Sequence, residues 1–268
     1  MSKGLLDPKV DFVFKNIFGS PNHPEILISF LNATLKAKKK IVNVDIKKTD
    51  IEKQYIEDKY SRLDVKATTS NDEIINIEIQ LKNENNMVKR SLYYLSKMYE
   101  EQLNEKEDYS KLVRTVCINI LNFKYLKTDN FHTGYRFKEI ESNEELTDIM
   151  EVHFIEIPKL QDSSDEKDML VAWTEFLKDP ESEKVRGLEL SIEEIRQAKD
   201  ELIRMSNDST QRELYDMRAN SLRDKMSELN AAERKGIEKG REEGREEGRK
   251  EEKIKIARNM KLSGLDTN

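Results

Sequence analysis

The chain has 268 residues, 37% of them charged and 36% hydrophobic, with a formal net charge of −6 and a mean hydropathy of −0.80. That length holds one sizeable domain with an appendage, and the low apolar content implies that part of the chain carries little core. The acidic balance excludes indiscriminate coating of nucleic acid, which needs a strong basic excess, but leaves room for a local basic groove.

The first segment, "MSKGLLDPKVDFVFKNIFG", is broken by Asp7 and Asp11 where a signal peptide needs an unbroken apolar run. No later stretch approaches the roughly 20 apolar residues of a membrane span, so a cytoplasmic protein without a membrane partner is expected. Val10, Val13, Phe14 and Ile17 fall on one helical stripe that should stop near Gly19. Pro24 suits the first turn of a second helix, with Asn22 as a cap and Ile26, Leu27, Phe30 and Leu31 as its apolar face. After the basic knot "KAKKK" (Lys36 to Lys40), "IVNVDI" reads as a strand. Those lysines, with Lys47 and Lys48, form either a backbone-contacting patch or a solvated loop.

Leu63, Val65 and Ala67 then alternate with Arg62, Asp64 and Lys66; Ile75, Ile77, Ile79 and Leu81 alternate with Asn76, Glu78 and Gln80. Two period-2 runs around the turn-like "TSND" predict a β-hairpin. A hairpin symmetric about Asn71 pairs Asp64 with Glu78, Arg62 with Gln80 and Lys66 with Asn76. The next segment predicts a helix with Val88, Leu92, Leu95 and Tyr99 inward, and Arg90, Tyr94 and Lys97 on a neighbouring polar face. "VRTVCINILNF" (Val113 to Phe123) reads as a strand buried on both faces. It carries the only cysteine, Cys117, which acts as a small hydrophobe and fits a reducing compartment. "EVHFIEIP" (Glu151 to Pro158) is a further strand, and Met169, Leu170, Trp173, Phe176 and Leu177 form the last dense apolar cluster. His23, His132 and His153 are scattered along the chain and do not suggest a structural zinc site.

Like charges facing each other across strands destabilise a sheet. Either the Asp64/Glu78 face is wet and screened by Lys66 and Arg62, or a divalent cation turns the repulsion into coordination. Two acids suffice for Mg²⁺, which completes its shell with waters and phosphate oxygens.

Asp64 followed by Glu78-Ile79-Gln80 resembles the D…(D/E)-x-K signature of PD-(D/E)XK phosphodiesterases, with glutamine at the lysine position. In that order, "DPKVDFVFKNIFG", "SFLNATL", "RLDVKAT", "INIEIQL" and "KRSLYYLSKMYEEQL" extend the likeness from about Asp7 to Leu177. They resemble the Rpn-like recombination-promoting nuclease and transposase family. The resemblance implies an α/β fold with a restriction-endonuclease-like mixed sheet flanked by helices, and a metal-dependent endonuclease acting on double-stranded DNA. It implies Asp64 and Glu78 as Mg²⁺ ligands (Mn²⁺ or Ca²⁺ being alternatives), completed by the Ile79 carbonyl. Gln80 would orient the attacking water, and Asp11 would be a further acid from the first helix. Arg90 and Tyr94, with Lys97, would face the phosphate backbone. Two departures stand out: Leu63 replaces the proline that names the superfamily, and Gln80 cannot supply the positive charge of a lysine.

The expected organisation is a nuclease-like domain over 1–178, a helical region over 179–230 and a charged glycine-repeat tail, helical or frayed, over 231–268. The tail spaces Gly236, Gly240, Gly244 and Gly248 four apart among nearly balanced charges. Each glycine costs a helix about 1 kcal/mol relative to alanine, which favours fraying; self-association through a C-terminal helix is the alternative. Two rival functions stand beside the enzyme: a catalytically weak nucleic-acid-binding scaffold of the same fold, and an interaction protein acting through its C-terminal helix.

Overall fold

The computed structural model describes residues 4–36, 39–47, 65–165 and 167–262. The first of its two compact units, Met1–Asp216, carries the sheet. The strands are β1 (Val44–Lys47), β2 (Val65–Thr69), β3 (Ile74–Gln80), β4 (Thr115–Leu121), β5 (His132–Lys138) and β6 (Glu145–Glu156). They lie in the order β1-β2-β3-β4-β6-β5. The β3–β4 and β4–β6 pairs are parallel and the others antiparallel, giving a mixed sheet. Parallel strands need cover on both faces, and every residue of β4 is buried.

The helices of this unit are α1 (Asp11–Phe18), α2 (Pro24–Leu35), α3 (Met87–Glu100), α4 (Met169–Lys178), α5 (Glu183–Glu189) and α6 (Glu193–Asn207). Helices α1, α2, α4 and α6 pack on one another around Phe18, whose ring stacks on Phe14 at 4.5 Å and meets Phe30 at 5.4 Å and Trp173 at 5.3 Å edge-on. Trp173 is fully buried and donates its indole N–H to Ser29 Oγ at 3.2 Å. Helix α1 ends at Gly19, where a Cβ would lie 2.7 Å from the Lys15 carbonyl oxygen and 3.3 Å from Val65 Cγ2, so only glycine fits. Helix α3 covers the opposite face of the sheet. There Met87 and Leu95 pack on Cys117, Leu121, Val152 and Phe154.

Several expectations shift. The second helix does begin at Pro24, but its capping position is His23, not Asn22. The first strand occupies only Val44–Lys47 of the apolar run and its neighbour. β5 was not foreseen, and β6 starts six residues before Glu151, at Glu145. Both are long, half-exposed and polar in their outer halves, so their pattern carries little hydrophobic alternation.

The second unit, Met217–Asn268, consists of the remainder of a helix, α7 (Ser209–Leu262), that begins in the first unit. Over the described residues the tail is helical. A Cβ placed on any of its four spaced glycines would meet nothing within 4 Å. Among the described residues no helix is long and apolar enough to cross a membrane.

Candidate active site

The hairpin forms in the register expected from the sequence. Val65 pairs with Ile77, Lys66 with Asn76, Ala67 with Ile75 and Thr68 with Ile74, which centres it on Asn71. The turn is closed by Thr69 N–H to the Glu73 carbonyl at 2.9 Å, with Asp72 at a positive φ of 60°. Asp64 and Arg62, and with them the Asp64–Glu78 and Arg62–Gln80 pairs, lie outside the described residues.

Alternation along β3 sends Ile75, Ile77 and Ile79 to one face and Asn76, Glu78 and Gln80 to the other. That second face is not wet. Glu78 is 0% exposed, Asn76 is equally enclosed, and Gln80 is half-buried at the strand's end. The parallel partner of Glu78 on β4 is Asn119, 1% exposed.

Helix α3 supplies the lid. The sequence pattern turned Val88 and Leu92 inward; in the structure they are 41% and 48% exposed, and the inward stripe is Met87, Ser91, Tyr94, Leu95 and Met98. The physical reason is the polar sheet face beneath it. Ser91 Oγ donates to Asn119 Oδ1 at 2.9 Å, and Asn119 Nδ2 donates to the His153 carbonyl at 3.1 Å. Arg90 leans the same way, its Nε 3.3 Å from Glu78 Oε2 and its guanidinium carbon 5.4 Å from the centre of the Tyr94 ring. Tyr94 is 4% exposed, so its ring lies under Arg90 and is not a surface group. Lys97 sits farther along, bonded to Glu100 at 3.2 Å.

Burial dominates the electrostatics here. Loss of solvent pushes Glu78 from 4.5 up to about 7, against the opposing pull of the Arg90 charge and a long hydrogen bond from Asn76. The same enclosure pushes the Cys117 thiol up to about 12, consistent with an inert packing role. Three buried polar atoms of this cluster, Asn76 Oδ1, Glu78 Oε2 and Arg90 Nε, have no hydrogen-bond partner. Buried groups left in that condition call for an explanation, and binding of an ion or substrate is one.

Asp11 opens α1, which packs against α2 and α6. Ile79 points its side chain to the isoleucine face. Lys36 caps α2 and bonds Asp168 at 3.3 Å, while Lys38 and Lys48 fall outside the described residues. Asn76, Ser91 and Asn119 were missed; an asparagine amid "VCINIL" was the available signal, since a strand covered on both faces has no cheap place for an amide. The pairing of His132 with His153, at 2.9 Å, was missed as well, because it depends on the unforeseen β5.

A family model described as PD-(D/E)XK nuclease family transposase matches residues 8–232. The chain belongs to that family. Comparisons with curated proteins and with solved structures return no match. The mixed six-stranded sheet flanked by helices is consistent with the α/β fold of that family. Two orphaned buried oxygens, on Glu78 and Asn76, are the donor type that a hard divalent cation takes, so the residues present fit such an ion. Among the described residues no group of three or more His, Cys, Asp or Glu is arranged to hold a metal ion.

Proposed function

We propose that the protein is a Mg²⁺-dependent DNA endonuclease that hydrolyses phosphodiester bonds in a recombination or transposon-like context. One observation carries the reading: the glutamate of the family motif is fully buried, yet one of its oxygens has no hydrogen-bond partner. An enclosed carboxylate whose oxygen has the Arg90 charge nearby but no hydrogen bond is costly to the fold, and cation binding is the function that would offset that cost. Family membership over residues 8–232 supports the nuclease class independently.

In this reading Glu78 and Asp64 hold the ion, with the Ile79 carbonyl beside them. Asp64 immediately precedes β2, whose register puts Val65 opposite Ile77, and this supports it as the partner of Glu78. When bound, the cation lowers the pKa of a water and stabilises charge on the phosphate. Gln80, at the half-buried end of β3, accepts from and orients the attacking water. Asn119 and Ser91 set the depth and angle of α3, so that Arg90 stands beside the carboxylate. Lys97, farther along α3, contacts the DNA backbone, and Asp11 is a secondary acid of the site. The substrate is double-stranded DNA and the setting cytoplasmic.

The test is cleavage of supercoiled plasmid under Mg²⁺ or Mn²⁺ by the parent, Asp64→Ala and Glu78→Ala. Losing a metal ligand should cut activity by at least ~100-fold. A parent that leaves the plasmid intact, or variants that cut as well as the parent, would end the proposal.

A further inference from the structure

The motif position at which PD-(D/E)XK enzymes carry lysine is Gln80 here, and an amide brings no net charge to a phosphate that becomes more negative as it is attacked. Arg90, on a different element, stands next to the motif glutamate. Its Nε lies 3.3 Å from Glu78 Oε2, but neither atom makes a hydrogen bond. Contact without alignment keeps the Coulomb attraction and loses most of the directional hold. The guanidinium rests on the face of the buried Tyr94, which retains a cation whichever anion it faces. The Arg90 side chain is 23% exposed, so the group touches the enclosed carboxylate and also reaches solvent. The adjacent residue, Ser91, is held by bonds to the Met87 carbonyl at 2.7 Å and to Asn119 at 2.9 Å, which fixes this turn of α3 over β3 and β4.

We infer that Arg90 supplies the positive charge that Gln80 lacks. It is the counter-ion of Glu78 in the resting site and turns its guanidinium to the scissile phosphate once DNA and the cation are bound. Arginine suits both posts, being permanently charged and forked to match two oxygens of a phosphate. It transfers no proton; its part is to neutralise charge. Tyr94 is a positioning residue, the platform on which the guanidinium turns. The inference rests on the nuclease reading above and deepens it.

The test compares the full-length parent with Arg90→Met, Arg90→Lys and the double variant Arg90→Met/Gln80→Lys. Cleavage kinetics are measured on a fluorescent duplex with Mg²⁺, and duplex binding with Ca²⁺ across a salt series. Arg90→Met should lower kcat by ~100-fold or more, with a rise in KM of no more than about 10-fold, while Arg90→Lys retains most of kcat. The salt slope of duplex binding should shrink by about 0.9, the loss of one phosphate contact, a change that a merely structural residue would not produce. Returning a lysine to the motif in the double variant should recover at least ~10-fold of the lost kcat. Unchanged cleavage or salt slope in Arg90→Met, or no recovery in the double variant, overturns the inference while leaving a cleaving parent as a nuclease. A parent that does not cut overturns the nuclease reading whether or not it binds, and the inference falls with it. Should Arg90→Met not fold, Gln80→Lys alone decides. A site already holding its cation should gain less than ~3-fold, and a gain above ~10-fold would refute the assignment.

Discussion

Glu78→Gln changes one buried carboxylate into an amide of nearly the same shape, and so isolates the cost of the charge. In the fold the carboxyl is raised from 4.5 to about 7, chiefly by burial. The folded state therefore holds the proton more tightly than the unfolded chain does. The stability that this group contributes is fully present below about 4.5 and is lost as pH rises through about 7. At about 1.4 kcal/mol per unit, the whole shift is worth about 3 kcal/mol, of which roughly 2–3 kcal/mol is lost between pH 5 and pH 8. For a domain of this size that is roughly 5–10 °C in Tm. Thermal melts of the parent and Glu78→Gln in EDTA, at pH 5 and at pH 8, should show the variant's relative Tm rising by that amount toward alkaline pH. Other titrating groups are common to both proteins and cancel in the difference. A relative Tm that is constant with pH, or that falls toward alkaline pH, would refute the claim that burial outweighs Arg90 at the carboxyl enclosed under α3.

Glu151 should behave in the opposite sense. Burial raises it, but hydrogen bonds from His153, Arg114 and Arg136 outweigh burial and hold it down at about 2; its contribution is present above 4.5 and is lost as pH falls through about 2. Glu151→Gln, which leaves Arg114 and Arg136 facing a neutral partner, should destabilise by about 3–5 kcal/mol in urea titrations at pH 7. That deficit should close in acid. Asn119→Ala removes the acceptor of Ser91 Oγ and the donor to the His153 carbonyl. It should cost about 1–3 kcal/mol by urea midpoint, and a change under about 0.5 kcal/mol would count against the buried polar column. Gly240→Ala and Gly244→Ala, where a Cβ meets open space, should each stabilise α7 locally by up to about 1 kcal/mol. Hydrogen exchange across Met217–Leu262 would register this as slower exchange in that helix.

Much of the fold is written in local pattern. The stripe Val13, Phe14 and Ile17, the proline at the start of α2 and the β-branched run of β4 each identify their element, because apolar period follows backbone geometry directly. The hairpin register followed from arithmetic about Asn71, since a tight turn leaves little freedom in how two strands align. The order of motifs was enough for the family, and residues 8–232 carry it. What failed locally failed for a tertiary reason. Val88 and Leu92 are apolar, yet α3 turns Met87, Leu95 and Met98 inward with Ser91 and Tyr94 between them, which sets Ser91 against Asn119 of β4.

The sequence alone thus determined the acidic motif, its strand, its family and the amphipathic helix that follows. Only the three-dimensional arrangement decided that Glu78 is enclosed, that Arg90 stands beside it, and that two histidines far apart in sequence meet beside Glu151. The reason is that periodicity reports which residues avoid water, whereas the charge state and partners of a buried polar group depend on what another segment places opposite it.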